Sequence, residues 1–324
     1  MGKIKYQYYD DCRAYPFYPK EQESIVISEW ELEKYSILNG QINGLILTKE
    51  AKDFYNSFQN MALKRVGDGY ICTSVYKNAE SSYKTIISFA MGMLATRIVA
   101  LKKYDIIHLF HLKDRSIKHE PENKCIPDWF GVNSYNVPFL FESKGTLDRK
   151  IQKNTIEHAK YEQLNLIKKI TDNSGGTKTY ISKFKRHVIV SCFDDIQNDM
   201  WNIQDIDPES EGIEKTFINL DKECFKYYRT FLDFLDSYET PYAKNIVMVD
   251  RQEFCILKDE KEMFGIHKKI YEAVVSPKYT EENEYLNFYK DIKKILSEIK
   301  CEKYIKNSSS YEDGIIVCTN EKNF

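Results

Sequence analysis

The sequence predicts an α/β protein in which a sheet is flanked by helices. Residues 81–100 form a long apolar segment typical of a core helix, and residues 186–192 form an uncharged, β-branched run typical of a buried strand. Between them lie short apolar runs bounded by Pro and Gly, which indicate further strands. The predicted order is helix, strand, strand, strand, helix, strand. With 42% apolar residues over 324 positions, the chain can bury a sizeable core.

The chain divides by pattern into three segments. Residues 1–77 are predicted to be an N-terminal extension packed on the core, residues 78–193 the core itself, and residues 213–324 an acidic C-terminal α/β region. The acidic stretch at 194–212 contains helix and strand breakers and is interpreted as a boundary or a long surface loop. The C-terminal region either extends the core sheet or forms a small subdomain, and it is the expected contact for a partner subunit or a second copy of the chain.

Periodicity and breakers place the individual elements. In chain order they are a strand at 23–27, a turn at Asn43-Gly44, helices at 49–64 and 81–100, a strand at 104–112, a charged loop at 114–124, two strands within 125–145, a basic helix at 148–170, a strand at 186–192, a helix at 221–238, strands at 245–249 and 253–257, a helix at 282–299 and a strand at 314–318.

Composition excludes several classes of protein. No run of eighteen apolar residues occurs and the N-terminus lacks a signal-peptide core, so we expect a cytoplasmic protein without a membrane partner. The eight cysteines are spread singly without a C-x-x-C motif, which gives no support to a zinc site or a disulfide framework. His108 and His111 have a spacing that suits a metal pair, but polar positions on a half-buried strand are the simpler interpretation.

Charge is distributed unevenly along the chain. The net charge is −2, yet residues 141–190 carry a net +6 and residues 191–324 a net −10. A positive segment attracts a phosphate backbone, whereas an acidic remainder discourages nonspecific binding.

Two of the central strands each carry a carboxylate near one end. Asp128 follows Pro127, and Glu142 and Lys144 lie within the apolar run Val137 to Gly145. Because side chains alternate along a strand, Glu142 and Lys144 share one face. Two carboxylates and an ammonium group at the edge of a sheet can hold a magnesium ion and a water molecule beside a phosphate.

This pattern resembles the PD-(D/E)xK phosphodiesterase superfamily of restriction-endonuclease-like nucleases, over residues 78 to 192. The resemblance implies an αβββαβ core with a mixed sheet. It also implies that Asp128, Glu142 and the backbone carbonyl of Ser143 bind Mg²⁺, with Mn²⁺ as a substitute, and that Lys144 acts in catalysis.

The tripeptide alone is weak evidence, since six other D/E-x-K triplets occur in this chain. Glu142 differs from them because it lies in an apolar strand, where an unpaired charge is costly, and because it follows the chain's one Pro-Asp dipeptide. The alternative interpretation is an ion pair between Glu142 and Lys144, with Asp128 closing a turn.

A second group of residues has weaker support. Glu80, at the start of the apolar helix, matches a position from which related nucleases add a metal-binding acid, although the helix dipole also favours an acid there. Polar residues of the predicted basic helix are candidates for nucleic-acid contact, and at most one of the three uncharged or histidine positions is expected to matter. These residues are Lys150, Lys153, Lys160, Gln152, His158 and Gln163.

The leading prediction is a metal-dependent DNA endonuclease of the restriction or anti-phage defence kind, acting on double-stranded DNA. An RNase or a repair nuclease of the same fold is an alternative within the enzyme class. A catalytically silent nucleic-acid-binding or assembly module is the alternative from another class. Cutting both strands of a duplex takes two active sites or two visits, so a homodimer or a partner subunit is also considered.

Overall fold

The structure is a computed structural model. It describes residues 1–39, 48–114, 116–120, 126–176, 178–194, 199–207, 214–238, 241–259, 262–299, 308–309 and 311–319. The predicted turn at Asn43-Gly44 and part of the predicted loop at 114–124 lie outside these residues.

The described residues form helices and strands in a mixed succession. The helices are α1 (Glu29–Asn39), α2 (Lys49–Ala62), α3 (Ser74–Asn78), α4 (Ser81–Tyr104), α5 (Lys153–His158), α6 (Leu220–Asp236), α7 (Lys268–Val274) and α8 (Phe288–Glu298), and a π-helical turn (Ala159–Leu164) follows α5. The strands are β1 (Gly2–Tyr9), β2 (Glu21–Ile27), β3 (Leu63–Val66), β4 (Gly69–Cys72), β5 (Leu109–His111), β6 (Lys118–Glu120), β7 (Trp129–Val132), β8 (Pro138–Gly145), β9 (Ile167–Asp172), β10 (Thr179–Ile181), β11 (Lys185–Asp194), β12 (Met200–Ile206), β13 (Glu214–Ile218), β14 (Ile246–Val249), β15 (Gln252–Lys258), β16 (Glu262–His267) and β17 (Ile315–Thr319).

The chain forms two compact units. The first contains residues 1–27, 53–171 and 180–217, and the second contains residues 28–52, 172–179 and 218–324. This division differs from the three predicted segments because the first strand is an integral part of the large sheet. β1 pairs in parallel with β12, from Lys5 opposite Asn202 to Tyr9 opposite Ile206.

A large mixed sheet organises the first unit, and the predicted α/β class is confirmed. Its strands follow the order β2-β1-β4-β12-β11-β8-β7-β5, and β3 pairs with β4 at the side. β5, β7 and β8 form an antiparallel meander, whereas β8 and β11 run parallel. A parallel pair needs a crossover connection, which α5 and the residues around it supply. A smaller sheet, in the order β10-β9-β13-β6, lies mainly in the same unit.

The helix α4 packs on the large sheet and confirms the predicted core helix. It continues four residues beyond the predicted end and stops at Asp105, which adopts a left-handed conformation with φ of 56°. For that reason the following strand begins at Leu109 rather than at Tyr104. By length and composition α4 could cross a membrane, but 61% of its most apolar window is buried inside the protein, as expected for a core helix.

The boundary predicted at 194–212 is wrong in part, because β12 occupies residues 200–206 in the middle of the large sheet. Trp201, Ile203 and Ile206 are buried, and the polar residues between them are buried as well. The residues Trp201 to Gln204 alternate between apolar and polar, but the polar side chains are buried too because both faces of the strand are covered.

The predicted basic helix at 148–170 is also largely wrong. Helical structure is limited to Lys153–His158 and the π-helical turn Ala159–Leu164, and Ile167–Asp172 is a strand. In that strand Ile167 and Ile170 are buried. Their spacing of three fits a helix equally well, so periodicity could not distinguish the two states.

The second unit has a sheet of its own. Four antiparallel strands, in the order β14-β15-β16-β17, belong to it together with α6, α7 and α8. A buried ion pair joins residues of this unit that are far apart in the sequence. Lys34 Nζ lies 2.5 Å from Asp313 Oδ1, and Tyr227 donates a hydrogen bond to the other oxygen of Asp313 at 2.9 Å. The ion pair and the hydrogen bond from Tyr227 together offset the cost of burying the Asp313 carboxylate.

The cysteines in the described part of the chain are free thiols, and all of them are buried. They are Cys12, Cys72, Cys192, Cys224, Cys255 and Cys318.

Candidate active site

The register of β7 and β8 places the two motif carboxylates side by side. Trp129 pairs with Phe141, so Asp128, one residue earlier, lies opposite Glu142, one residue later. Directly opposed residues of an antiparallel pair have Cβ atoms about 5 Å apart. The thirteen residues between the carboxylates are therefore the length that a hairpin needs to bring both to one edge.

Two glycines allow α4 to approach the strand that carries the motif. A Cβ atom on Gly145 would lie 1.8 Å from the carbonyl oxygen of Ser88, and one on Gly92 would lie 2.8 Å from the carbonyl carbon of Lys144. Both contacts are with backbone atoms, which cannot move aside cheaply. The close approach of α4 thus explains why a glycine follows Lys144 directly, because a larger residue at position 145 would push the helix away from the end of β8.

The side chain of Asp128 is anchored on both oxygens. The Ser143 N–H donates to Oδ2 at 2.9 Å, and Lys113 Nζ donates to Oδ1 at 2.6 Å. Asp128 is 3% exposed. The carboxylate is therefore fixed in direction, and Lys113 supplies a countercharge that the sequence did not indicate.

Glu142 is 2% exposed and only half satisfied. Its Oε1 accepts a hydrogen bond from Lys144 Nζ at 2.7 Å, while Oε2 is buried and has no hydrogen-bond partner among the described residues. Burial and the neighbouring charge of Asp128 raise the pKa of Glu142 to about 7, although Lys144 and Lys113 oppose this rise. A buried carboxylate oxygen without a donor is costly in a finished fold, which indicates a ligand there.

Lys144 is oriented by two acceptors. Besides Glu142, its Nζ donates to Oε1 of Gln163 at 3.0 Å. Gln163 belongs to the π-helical turn and is buried. An ammonium group has three donors, so one N–H of Lys144 remains available to a ligand.

These residues open into one cavity of about 650 Å³ in the first unit. Its wall includes Asp128, Glu142, Ser143, Lys144 and Gln163 on the sheet side. The helix α4 contributes side chains from its first turns, among them hydroxyl groups and a lysine. These are Ser81, Lys84, Thr85, Ser88 and Phe89.

The side chain of Ser143 points away from this cavity's carboxylates. Its Oγ contacts Thr96 Oγ1 at 2.7 Å and accepts a hydrogen bond from the Trp129 indole at 3.2 Å. Trp129 is buried, which fits core packing rather than stacking on bases. The predicted role of Ser143 concerns its backbone carbonyl, which lies between Glu142 and Lys144 on the strand.

Glu80 caps α4. Its carboxylate accepts a hydrogen bond from the Ser82 N–H at 2.9 Å, and this bond lowers its pKa. The residue does not line the cavity that contains Asp128 and Glu142, as far as the described residues show. The structure thus gives Glu80 the helix-capping function that its position also suggested.

The predicted nucleic-acid contacts after the motif do not line the cavity formed by the described residues, with the exception of Gln163. Lys150 lies over the Phe17 ring and Lys160 over the Tyr161 ring, at 5.3 and 5.2 Å from the centroids. The rest of this group lies in α5 or next to it. Gln152 precedes the helix, Lys153 lies 3.9 Å from Glu157, and His158 pairs with Glu162 at 2.9 Å.

Sequence reasoning missed Lys113, whereas His111 lies on a partly buried strand, as the simpler interpretation of its position predicted. Leu112, between them, donates its N–H to the Asp128 carbonyl at 2.9 Å, so this segment runs beside the motif aspartate. Burial lowers the pKa of His111 to about 4, which keeps its ring neutral, and its Nδ1 accepts the Lys113 N–H at 3.2 Å. The signal available in the sequence was the polar stretch directly after the short strand, whose partner is β7.

The donor set fits a small, hard divalent cation. Carboxylate oxygens are the ligands that Mg²⁺ prefers, and Mg²⁺ usually keeps several water molecules beside one or two carboxylates. Within the described residues no cluster of three or more His, Cys, Asp or Glu side chains suited to a metal occurs, so the site would rest on two carboxylates. The unpartnered Oε2 of Glu142 is the observation that favours a cation here.

Comparison of this chain with protein-family models, with curated proteins and with solved structures finds no match.

Proposed function

We propose that this protein is a Mg²⁺-dependent phosphodiesterase with a restriction-endonuclease-like core, acting on nucleic acid. The observation that carries the proposal is a half-satisfied buried carboxylate, Glu142, next to a second one, Asp128, at the wall of a lysine-containing cavity. A structural ion pair alone does not explain why Oε2 of Glu142 is left without a donor.

The succession of elements supports the fold assignment. From α4 through β5, β7 and β8 to α5 and β11, the described chain follows helix, three strands, helix, strand. Two further elements, β6 and the β9–β10 pair, are inserted without entering the large sheet. Glu142 and Lys144 of the motif lie in the second half of β8. This strand pairs with β7 in the antiparallel meander and with β11 in the parallel pair, so side chains from several strands meet there.

Asp128 and Glu142 would hold the metal ion, together with the carbonyl of Ser143. A bound Mg²⁺ supplies a Lewis acid that lowers the pKa of water and neutralises charge on a phosphate. The proton on Glu142 must leave before the carboxylate binds a cation, so the raised pKa makes metal affinity dependent on pH.

Lys144 would act on the reacting phosphate or on the attacking water. Glu142 and Gln163 take two of its donors and thereby direct the third into the cavity. An oriented ammonium group stabilises negative charge that develops in the transition state. Gln163 is then a positioning residue, because it acts through Lys144.

The cavity also offers groups that suit a phosphodiester backbone. Ser81, Thr85 and Ser88 present hydroxyl groups, which are common phosphate donors. Lys84 lines the same wall and has no ion-pair partner among the described residues. With a divalent cation bound to the carboxylates, the cavity would be positively charged.

DNA as the substrate, and a restriction or anti-phage defence role, follow from the resemblance of the motif and belong to the proposal. An RNase or a repair nuclease uses the same chemistry, and a silent binding module would keep the fold without turnover. A DNA nuclease, an RNase and a silent module differ in which polymer they cut, if any, so one experiment separates them.

The test incubates the purified chain with supercoiled DNA, linear duplex, single-stranded DNA and RNA in Mg²⁺, Mn²⁺ or EDTA. We expect cleavage of at least one polymer that EDTA stops, with duplex DNA the preferred one. Cleavage of RNA alone would show that RNA, and not DNA, is the substrate. Binding without cleavage in either metal would identify the silent module and refute the enzyme.

Matched variants assign the activity to this site. Glu142→Gln and Lys144→Met should remove cleavage, whereas Glu157→Gln on α5 and Lys3→Met on β1 make the same changes at exposed side chains and should leave it unchanged.

A further inference from the structure

A second cavity, of about 340 Å³, lies in the first unit at the opposite end of β8 from the motif. Its wall is formed by Phe139 at the start of β8, His187 on β11, Tyr104 at the end of α4 and Tyr8 on β1. The volume is at the small end of the range that small-molecule sites occupy.

A buried Asp–His pair stands behind this wall. His187 Nδ1 lies 2.8 Å from Asp205 Oδ1, and the two side chains are 3% and 0% exposed. The hydroxyl groups of Tyr6 and Tyr104 donate to the other oxygen of Asp205, at 2.7 and 2.5 Å. An ionised carboxylate can only accept hydrogen bonds. The ring nitrogen that contacts Asp205, Nδ1 of His187, therefore carries the proton.

That arrangement leaves the second ring nitrogen of His187 for a ligand. With the proton on Nδ1, neutral imidazole has a lone pair on Nε2. Nε2 has no hydrogen-bond partner in the described part of the chain, and the ring lines the cavity. The site therefore presents one oriented acceptor, set by a network that the proposed phosphodiesterase chemistry does not use.

The walls around this acceptor are flat and aromatic. The Phe139 and His187 rings are stacked at 5.7 Å with an interplanar angle of 27°, and the Tyr104 and Phe139 centroids are 4.9 Å apart. The Tyr8 ring lies 6.5 Å from His187. Aromatic walls of this kind favour a planar ring that stacks on them.

The charges at the cavity balance. Two lysines, Lys103 and Lys185, and two acidic residues, Glu21 and Asp207, line it. Lys103 is further neutralised by an ion pair with Glu23. A balanced rim gives no advantage to a phosphate group, so a neutral ligand is favoured over an anionic one.

We propose that this cavity binds an unpaired nucleobase, with an N–H of the base donating to His187 Nε2 and the ring stacked on the aromatic wall. The base comes either from a free nucleoside or from a single-stranded segment. This inference is independent of the proposed phosphodiesterase, because it concerns a different cavity and is read out by binding.

The experiment is isothermal titration of the purified chain, in EDTA, with the four ribonucleosides, their 5′-monophosphates and short homopolymeric DNA strands. We expect saturable binding of at least one nucleoside with one site per chain, or of one homopolymer if the base belongs to a strand. In the wild-type protein, the side-chain ¹⁵N resonance of His187 should shift on binding, and its absence in His187→Asn assigns it.

Two variants test the contacts. His187→Asn places an amide near the position of Nδ1, where it can donate to Asp205, and has no atom at the position of the Nε2 acceptor, while Tyr8→Leu removes a stacking wall; each should weaken binding at least tenfold. Tyr18→Leu, at an exposed tyrosine that does not line the cavity formed by the described residues, should bind as the wild type does. The proposal is overturned if no nucleoside or strand binds, if both variants bind normally, or if monophosphates bind more than tenfold tighter than their nucleosides.

Discussion

Replacing Glu142 by Gln should make the metal-free protein more stable at alkaline pH. Burial and Asp128 raise the pKa of Glu142 from 4.5 to about 7, so the folded state holds this proton more tightly than the unfolded chain. Stability from this group is fully present below about pH 4.5 and is lost as the pH rises through about 7. A difference of about 2.5 pH units, at about 1.4 kcal/mol each, corresponds to about 3 kcal/mol.

Gln resembles the protonated carboxyl group and still accepts the Lys144 hydrogen bond through its amide oxygen. The variant should therefore keep at pH 8.5 the stability that the wild type has only at acid pH, apart from effects of other groups. Urea denaturation in EDTA, at intervals from pH 4.5 to 8.5, gives the free energy of unfolding of both proteins. Glu157→Gln, on the exposed face of α5, is the control and should follow the wild type.

Mg²⁺ provides an internal check on the same curves. If the ion binds the ionised carboxylates, it should stabilise the wild type at pH 8.5 and have little effect on the variant. Parallel curves for wild type and Glu142→Gln across the whole pH range would refute the conclusion that Glu142 is a buried carboxylate with a raised pKa and one oxygen without a donor.

Three further changes have defined outcomes. Lys113→Met removes a cation 2.6 Å from Asp128, so the affinity for Mn²⁺, measured by electron paramagnetic resonance, should rise about tenfold; weaker binding would contradict competition between lysine and metal. Gly145→Ala places a Cβ atom 1.8 Å from the Ser88 carbonyl oxygen, and thermal unfolding should show a loss of about 3 kcal/mol, whereas an unchanged melting temperature would mean that α4 is not held against β8. Gln163→Leu frees Lys144 from one acceptor, so cleavage should slow about tenfold while Mn²⁺ affinity stays the same; a parallel loss of metal binding would show that Gln163 acts on the carboxylates instead.

The sequence could predict the proximity of the motif residues because their positions depend on local rules. Thirteen residues between Asp128 and Glu142 suit a hairpin, and alternation along a strand puts Glu142 and Lys144 on one face. Lys113 escaped prediction because it lies beyond the end of β5, and its contact with Asp128 depends on how β5 pairs with β7. Nothing within its own segment distinguishes it from other solvated lysines.

The fold shows the same limit at larger distances. α4 and β11 were evident because each contains a long apolar run, but β12 was interpreted as part of a boundary or surface loop because acidic residues and breakers surround it. The polar side chains of β12 are buried and bond to residues far away in sequence: the Asn202 amide group donates to Gln7 at 2.8 Å, and the Asp205 carboxylate accepts from Tyr6 at 2.7 Å. A polar strand of this kind is stable only in the assembled sheet, so its own composition favours a loop.

The most direct test of the proposed phosphodiesterase is the rate at which the purified chain cuts end-labelled duplex DNA after removal of metal and re-addition of Mg²⁺. We predict no cleavage in EDTA, cleavage on adding Mg²⁺, and a rate at least a hundredfold lower for Glu142→Gln under the same conditions, because one of the two carboxylates that would hold the ion is lost. Equal rates for wild type and Glu142→Gln, or an equal rate with and without EDTA, would contradict the account.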